Sequence, residues 1–159
     1  MIERLDHHAD DVALHIHKLF QRSYQVEAQL VGAAEFPPLQ RSVSHIRASP
    51  GIFLGQWTES GLSVVLEYSL VATHLGIDSL VVHPRYFRRG LGREILHALL
   101  GSVTWQTADV ETAAMNHPAI ALYEQAGFTE SKRWATRDAI EKVQLSLHRT
   151  GWQQQGIGT

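Results

Sequence analysis

The chain has 159 residues, 44% hydrophobic and 19% charged, a composition that fits one globular domain able to bury a core without metal or disulfide support. The absence of cysteine excludes disulfides, thiolate metal sites and a cysteine nucleophile, and a net charge of −2 argues against a nucleic-acid partner, which draws on a large basic excess. No apolar run approaches the roughly 20 residues of a membrane span, and the N-terminal stretch lacks the apolar core of a signal peptide, so the expectation is a cytoplasmic protein with no membrane partner.

Asp6 reads as the N-cap of a helix from about Ala9 to Val31, with Asp10 and Asp11 at its positive end and Val12, Ile16, Leu19, Phe20, Val26 and Leu30 as its apolar stripe. Gly32 and Phe36-Pro37-Pro38 break it, and a short helix Leu39–Ala48 follows, closed by Pro50-Gly51. Gly51–Thr58 and Leu62–Ala72 read as strands joined by the turn Glu59-Ser60-Gly61. A second turn near Thr73–Gly76 leads into a strand Ile77–Val82, completing an antiparallel meander. Trp105–Ala113 is a further strand, which a right-handed crossover lays parallel to Ile77–Val82. Asn116-His117-Pro118 opens a helix Ala119–Gln125, Gly127 ends it, and Thr129–Ala135 with Ile140–His148 makes a last hairpin. The expected fold is α/β (α+β): a mixed, mostly antiparallel sheet of about six to seven strands with about four helices, in one domain over residues 1–150. A flexible tail is expected over 151–159.

The stretch from Ser79 to Leu100 joins a strand, a basic turn and a helix. Leu80, Val81 and Val82 form an apolar run that His83-Pro84 ends, because proline donates no ladder hydrogen bond. Leu91, Ile95, Leu96, Leu99 and Leu100 then fall on one helical face. A helix start exposes unpaired amides, Gly90 and Gly92 let an anion approach the backbone, and Arg88, Arg89 and Arg93 add positive charge. The turn therefore suits a phosphate or pyrophosphate. It is neither a dinucleotide fingerprint, which needs a third small residue where Ile95 stands, nor a P-loop, which needs Gly-Lys-Ser/Thr.

Phe87-Arg88-Arg89-Gly90-Leu91-Gly92 resembles the acetyl-CoA-binding turn of the GNAT acetyltransferase superfamily, Gln/Arg-x-x-Gly-x-Gly/Ala after a strand ending in Val-x-Pro. Phe87 departs from the pattern, which leaves the grip to backbone amides and neighbouring arginines. Asn116 to Phe128 resembles the same family's Asn-x-x-Ala-x-x-x-Tyr-x-x-x-Gly-Phe signature, and the element order follows the family over essentially the whole chain. The resemblance implies the GNAT fold with a splayed central parallel pair, acetyl-CoA as co-substrate and an amine acceptor on a small molecule, peptide or protein. Attack would be direct, without a covalent enzyme intermediate.

By the same resemblance, Leu80, Val81 and Val82 offer their backbone to the pantetheine arm, while Arg88, Arg89, Gly90, Leu91, Gly92 and Arg93 hold the pyrophosphate. Asn116 contacts the pantetheine region, caps its helix, or does both. Tyr123 either protonates the departing thiolate or orders the cofactor. A lysine-like amine of pKa about 10.4 is protonated in all but roughly one molecule in 2,500 at pH 7, so a base is needed. Glu67 and Asp78, acidic residues in apolar strands, are the candidates, with His74 or a water chain as alternatives. Strand alternation puts Asp78 on the face of Leu80 and Val82. Arg22, Tyr24, Glu35, Phe36 and Trp134 are acceptor-side candidates. None of the ten histidines makes an i, i+4 zinc pair, so no metal is expected. The competing class is a non-catalytic acyl-CoA-binding module, and a homodimer is compatible with either.

Overall fold

The structure, a computed structural model, describes residues 1–33 and 35–152. Among the described residues there are seven strands and four α-helices in the order β1 (Ile2–Leu5), α1 (Asp10–Val31), α2 (Val43–Arg47), β2 (Ile52–Thr58), β3 (Gly61–Val71), β4 (His74–Val82), α3 (Leu91–Ser102), β5 (Thr107–Ala113), α4 (His117–Gln125), β6 (Thr129–Ala135) and β7 (Glu141–His148). The strands form one sheet in the order β1-β2-β3-β4-β5-β7-β6, with β4 and β5 parallel and the other neighbours antiparallel. None of the described helices is long and apolar enough to cross a membrane.

Local chemistry moves several boundaries. β1 was not expected, since two of its four residues are charged; it forms because Leu5 buries itself over Gly55 of β2, where a Cβ would stand 2.7 Å from the leucine side chain. Asp6 does not cap α1. Ala9 holds the N-cap position in extended geometry and the Asp6 carbonyl accepts the Ala9 N–H, while Asp10 and Asp11 occupy the first turn. Gly32, at φ 69°, closes the helix in the left-handed conformation. The expected helix Leu39–Ala48 divides into a 3₁₀ turn, Pro37–Gln40, and α2, because Ser42 accepts the His45 N–H as an N-cap. Arg41 is left extended between them. The turn before β4 is tighter than expected: Ala72, at φ 54°, closes it, so Gly76 lies within the strand beside Ser69.

The sheet is packed on both faces. On one, Ala13, Ile16, Leu19 and Phe20 of α1 and Ile46 of α2 meet Phe53, Val65 and Val81. On the other, Ile95, Leu96, Leu99 and Leu100 of α3 meet Val64, Leu66, Leu75 and Ile77, continuing through Trp105, Phe128 and Leu145. Trp152, buried at 8% exposure, packs 6.1 Å from Trp105 with the Arg149 guanidinium over both rings. The rest of the segment expected as a tail, 153–159, lies outside the described residues.

Two irregularities in β4 shape the site. Its parallel pairing with β5 runs from His74↔Thr107 to Ile77↔Val110 and stops, so from Asp78 onward the pair splays and that edge of β4 has no strand partner. On its other edge Tyr68 faces Ile77 while Glu67 faces Ser79, which makes Asp78 an extra, bulged residue. The alternation therefore breaks at Asp78: Leu75 and Ile77 face the α3 core, Leu80 and Val82 pack against that same core, and Val81 turns to the α1 side.

Candidate active site

The turn after β4 is held at its start by the His83 N–H, which donates to the Ser63 carbonyl at 2.8 Å, and by Pro84–Tyr86 in a 3₁₀ turn. The chain then reverses through Arg88 at φ 64° and Gly90 at φ 79° before α3 begins at Leu91. Arg88, Arg89, Gly90, Leu91, Gly92 and Arg93 thus form one continuous turn and first helical turn, where a helix leaves N–H groups without intrahelical acceptors. The two glycines act differently. Gly90 supplies the left-handed backbone in open space, whereas a Cβ on Gly92 would stand 3.3 Å from Leu122 and within 3.7 Å of Leu80 and Val82. Gly92 sets the close packing of α3 on β4 and α4.

A cavity of about 680 Å³ opens where β4 and β5 separate. Leu80, Val110–Ala113 and Ala119 line one part of it, and Tyr24, Glu27, Phe36–Pro38 and Arg41 line the other. Tyr123, Asn116 and Asp78 lie between. The β4 edge without a strand partner runs along this cavity, and the glycine turn stands at the end of the same strand.

Tyr123, Tyr24, Glu27 and Asp78 are among the ionisable groups that line this cavity. Tyr123 is buried at 4% exposure with its ring 5.6 Å from Phe128, and burial raises its phenol well above the ordinary range. Tyr24 is raised as well, by burial first and then by the charge of Glu27; its phenol bonds to the Ser79 hydroxyl, which lowers it by less. Burial raises the Glu27 carboxyl, outweighing a 3.0 Å hydrogen bond from Asn116 Nδ2 and the nearby Lys142 charge. Partial burial and the charge of Glu67 raise Asp78 at the cavity rim.

Glu67 is different. It faces the α1 side of β3, 4% exposed, and both its oxygens are occupied: Arg41 Nη1 and Nη2 donate at 2.6 and 2.9 Å, the Ser79 hydroxyl at 2.7 Å and the Ser49 hydroxyl at 2.8 Å. Burial alone would raise its pKa; the hydrogen bonds and the Arg41 charge win and hold it below the ordinary glutamate value. The Arg41 guanidinium also rests near the Phe20 and Phe53 rings, at 5.9 and 5.8 Å. The pair fastens the extended link between α1 and α2 to the sheet.

The expected acceptor-side residues separate. Tyr24 and Phe36 line the cavity; Arg22, Glu35 and Trp134 do not. Trp134 sits on edge strand β6 with Lys132 over its ring, and Arg22 faces a different cleft. His74 lies at the paired end of β4, bonded to Thr107 and Asp109, and is not among the cavity residues. Asn116 caps α4 through Oδ1, which accepts the Ala119 N–H, and its amide is committed to Glu27. Sequence reading missed Glu27 and Arg41, each indistinguishable in the sequence from a solvated helix or loop charge.

The splayed parallel pair, the glycine turn after β4 and the α4 tyrosine facing the gap define the GNAT acetyltransferase fold. The family model for the acetyltransferase (GNAT) domain matches residues 57–130. The fold matches the Escherichia coli ribosomal-protein-S18-alanine N-acetyltransferase with a TM-score of 0.73 at 20% identity, over 100% of this chain and 97% of that one. It also matches the PaiA N-acetyltransferase of Thermoplasma acidophilum in complex with coenzyme A, with a TM-score of 0.69 at 14% identity over 91% and 96% of the two chains. In sequence it is 31% identical over 163 residues to the UPF0157 protein YqkA of Bacillus subtilis, covering 96% of this chain and 48% of that protein. The chain thus spans about half the length of the curated relative it matches. Residues 57–130 thus match the acetyltransferase (GNAT) domain, and the chain has the GNAT acetyltransferase fold.

Proposed function

We propose that this domain transfers an acetyl group from acetyl-CoA to a primary amine by direct attack in a ternary complex. The observation that carries the reading is the meeting of Tyr123 and Glu27 in one cavity at the point where β4 and β5 part. Acetyl-CoA supplies the activated thioester. The backbone of Leu80, Val81 and Val82 and the turn Arg88–Arg93 position it, and Tyr123, kept protonated by burial, donates a proton to the departing sulfur. Glu27 takes the proton of the incoming ammonium. Its raised pKa brings it nearer to a base poised for neutral pH, and Asn116 fixes its orientation. Asp78, also raised, stands at the rim as the second candidate base. Glu67 serves this reading as a positioning residue, because a carboxylate saturated by four donors is a poor proton acceptor at neutral pH.

The relatives' acceptors, alanine of ribosomal protein S18 for one and spermidine for another, support an amine as acceptor without choosing among amines. An amine panel assayed for free CoA tests the reading. Release dependent on one class of amine, and abolished without it, is the expected result. Tight CoA binding with no release across polyamines, amino sugars, peptide N-termini and lysine peptides overturns it in favour of a non-catalytic acyl-CoA-binding module.

A further inference from the structure

A second cleft, of about 640 Å³, lies beyond the catalytic cavity, between α1, the β2–β3 hairpin and the connector that follows β4. Arg22, Gln25 and Gln29 reach it from α1, Thr58 and Ser60 from the hairpin, and His83 and Arg85 from the connector. Among the described residues no carboxylate lines it. Arg22 and Arg85 are both exposed, and among the described residues neither has an acidic partner.

His83 Nδ1 accepts the Arg85 N–H at 3.1 Å, so the neutral ring carries its hydrogen on Nε2 and presents a donor. The connector is fixed, its first residue hydrogen-bonded to Ser63 and the His83 and Tyr86 rings edge to face at 5.8 Å. Two guanidiniums without acidic partners, an imidazole N–H, the Ser60 hydroxyl and two amides thus line one cleft from three elements, while Thr58 donates its hydroxyl to the Gly61 carbonyl. We infer that this cleft is a second anion site, separate from the cofactor turn, built for a phosphoryl-bearing small molecule. Donors arriving from three sides suit a tetrahedral group with several oxygens better than a planar carboxylate. The volume exceeds what a bare phosphate fills and lies in the range of clefts that take whole small ligands, with Val26, Leu62 and Tyr86 as apolar wall for the remainder.

An independent sign of this convergence is His83 itself, which burial first, and then the charges of Arg22 and Arg85, push below the ordinary histidine value. An anion between the arginines relieves that repulsion. The site adjoins the cofactor turn: Arg85 and Arg89 both lie over the Tyr86 ring, at 5.9 and 5.5 Å. Its test is therefore run with the cofactor turn filled.

With the full chain saturated by CoA, inorganic pyrophosphate is titrated while backbone amides are followed by NMR. The expected result is saturable shifts at Arg22, Ser60, His83 and Arg85. The dissociation constant should rise at least tenfold in Arg22→Gln/Arg85→Gln and stay within twofold in Arg4→Gln on the distant β1 edge. Both cleft arginines are exposed, so the double variant keeps its fold, and an unchanged amide spectrum away from the cleft verifies this. Shifts confined to residues 88–93, competition between CoA and pyrophosphate for the cleft, no saturable binding, or citrate binding as tightly as pyrophosphate would each overturn the assignment.

Discussion

Replacing Glu67 by Gln keeps the shape of the side chain and removes its charge, so it separates the positioning role from a role in proton transfer. In the native protein Glu67 accepts four hydrogen bonds and neutralises an Arg41 side chain that is only 21% exposed. Removing one partner of a buried pair costs about 3–5 kcal/mol, and the partial exposure of Arg41 brings this to roughly 2–4 kcal/mol. For a chain of this size each kcal/mol lowers Tm by about 2–4 °C, so a loss near 3 kcal/mol corresponds to a fall of about 6–12 °C. The pH dependence follows from the direction of the shift. The folded pKa lies below the unfolded one, so the charged form contributes its stability above the ordinary glutamate value and loses it as pH falls through the folded pKa. Thermal and urea unfolding of both proteins at pH 7 and pH 3.5 should show a wide gap at the first that narrows at the second. A gap equal at both pH values refutes the electrostatic argument. Unchanged stability with turnover abolished would make Glu67 the proton acceptor instead.

Tyr123→Phe should lower kcat by about 10²–10⁴-fold, the range of a lost general acid, with KM for acetyl-CoA within threefold; weakened CoA binding at undiminished kcat would leave Tyr123 an ordering role alone. In Glu27→Gln the acidic limb of the kcat/KM profile should disappear. The native rate rises with pH as Glu27 loses its proton through its raised pKa, and the variant has nothing to titrate there; retention of the limb transfers the role to Asp78. Gly90→Ala should destabilise the protein by about 1–2 kcal/mol in urea unfolding, the cost of a left-handed non-glycine residue, because φ is 79° and no atom lies within 4 Å of the added Cβ. A neutral result there would mean that the turn relaxes.

The parts of the site legible in the sequence are those written contiguously. The strand ending at His83-Pro84, the glycine turn and the run from Asn116 to Phe128 each carry their geometry in neighbouring residues, and the structure assembles them as local turns and helix ends. β1 was illegible because its pairing is decided by Gly55, some fifty positions away in β2. The same holds for the site's polar contacts: Arg41 and Glu67 are 26 residues apart, Asn116 and Glu27 are 89 apart, and no periodicity records such a meeting.

The bulge at Asp78 shows how little sequence is needed to build the rest. A strict alternation would leave Leu80 and Val82 on the face opposite to Leu75 and Ile77 once β3 set the register from the other end. One extra residue opposite the Glu67–Tyr68 step restores them to the α3 core and turns Ser79 toward Glu67. The parallel ladder to β5 ends at the residue just before it, so the bulge coincides with the freeing of the edge that the pantetheine arm would take. The same inserted residue brings its own carboxylate to the cavity rim. Deleting Asp78 would therefore remove a candidate base together with the bulge that carries it. With it gone, plain alternation still sets Ser79 opposite Glu67 and keeps Leu80 and Val82 on the α3 face, so the deletion should leave the core packed and change only the cavity rim.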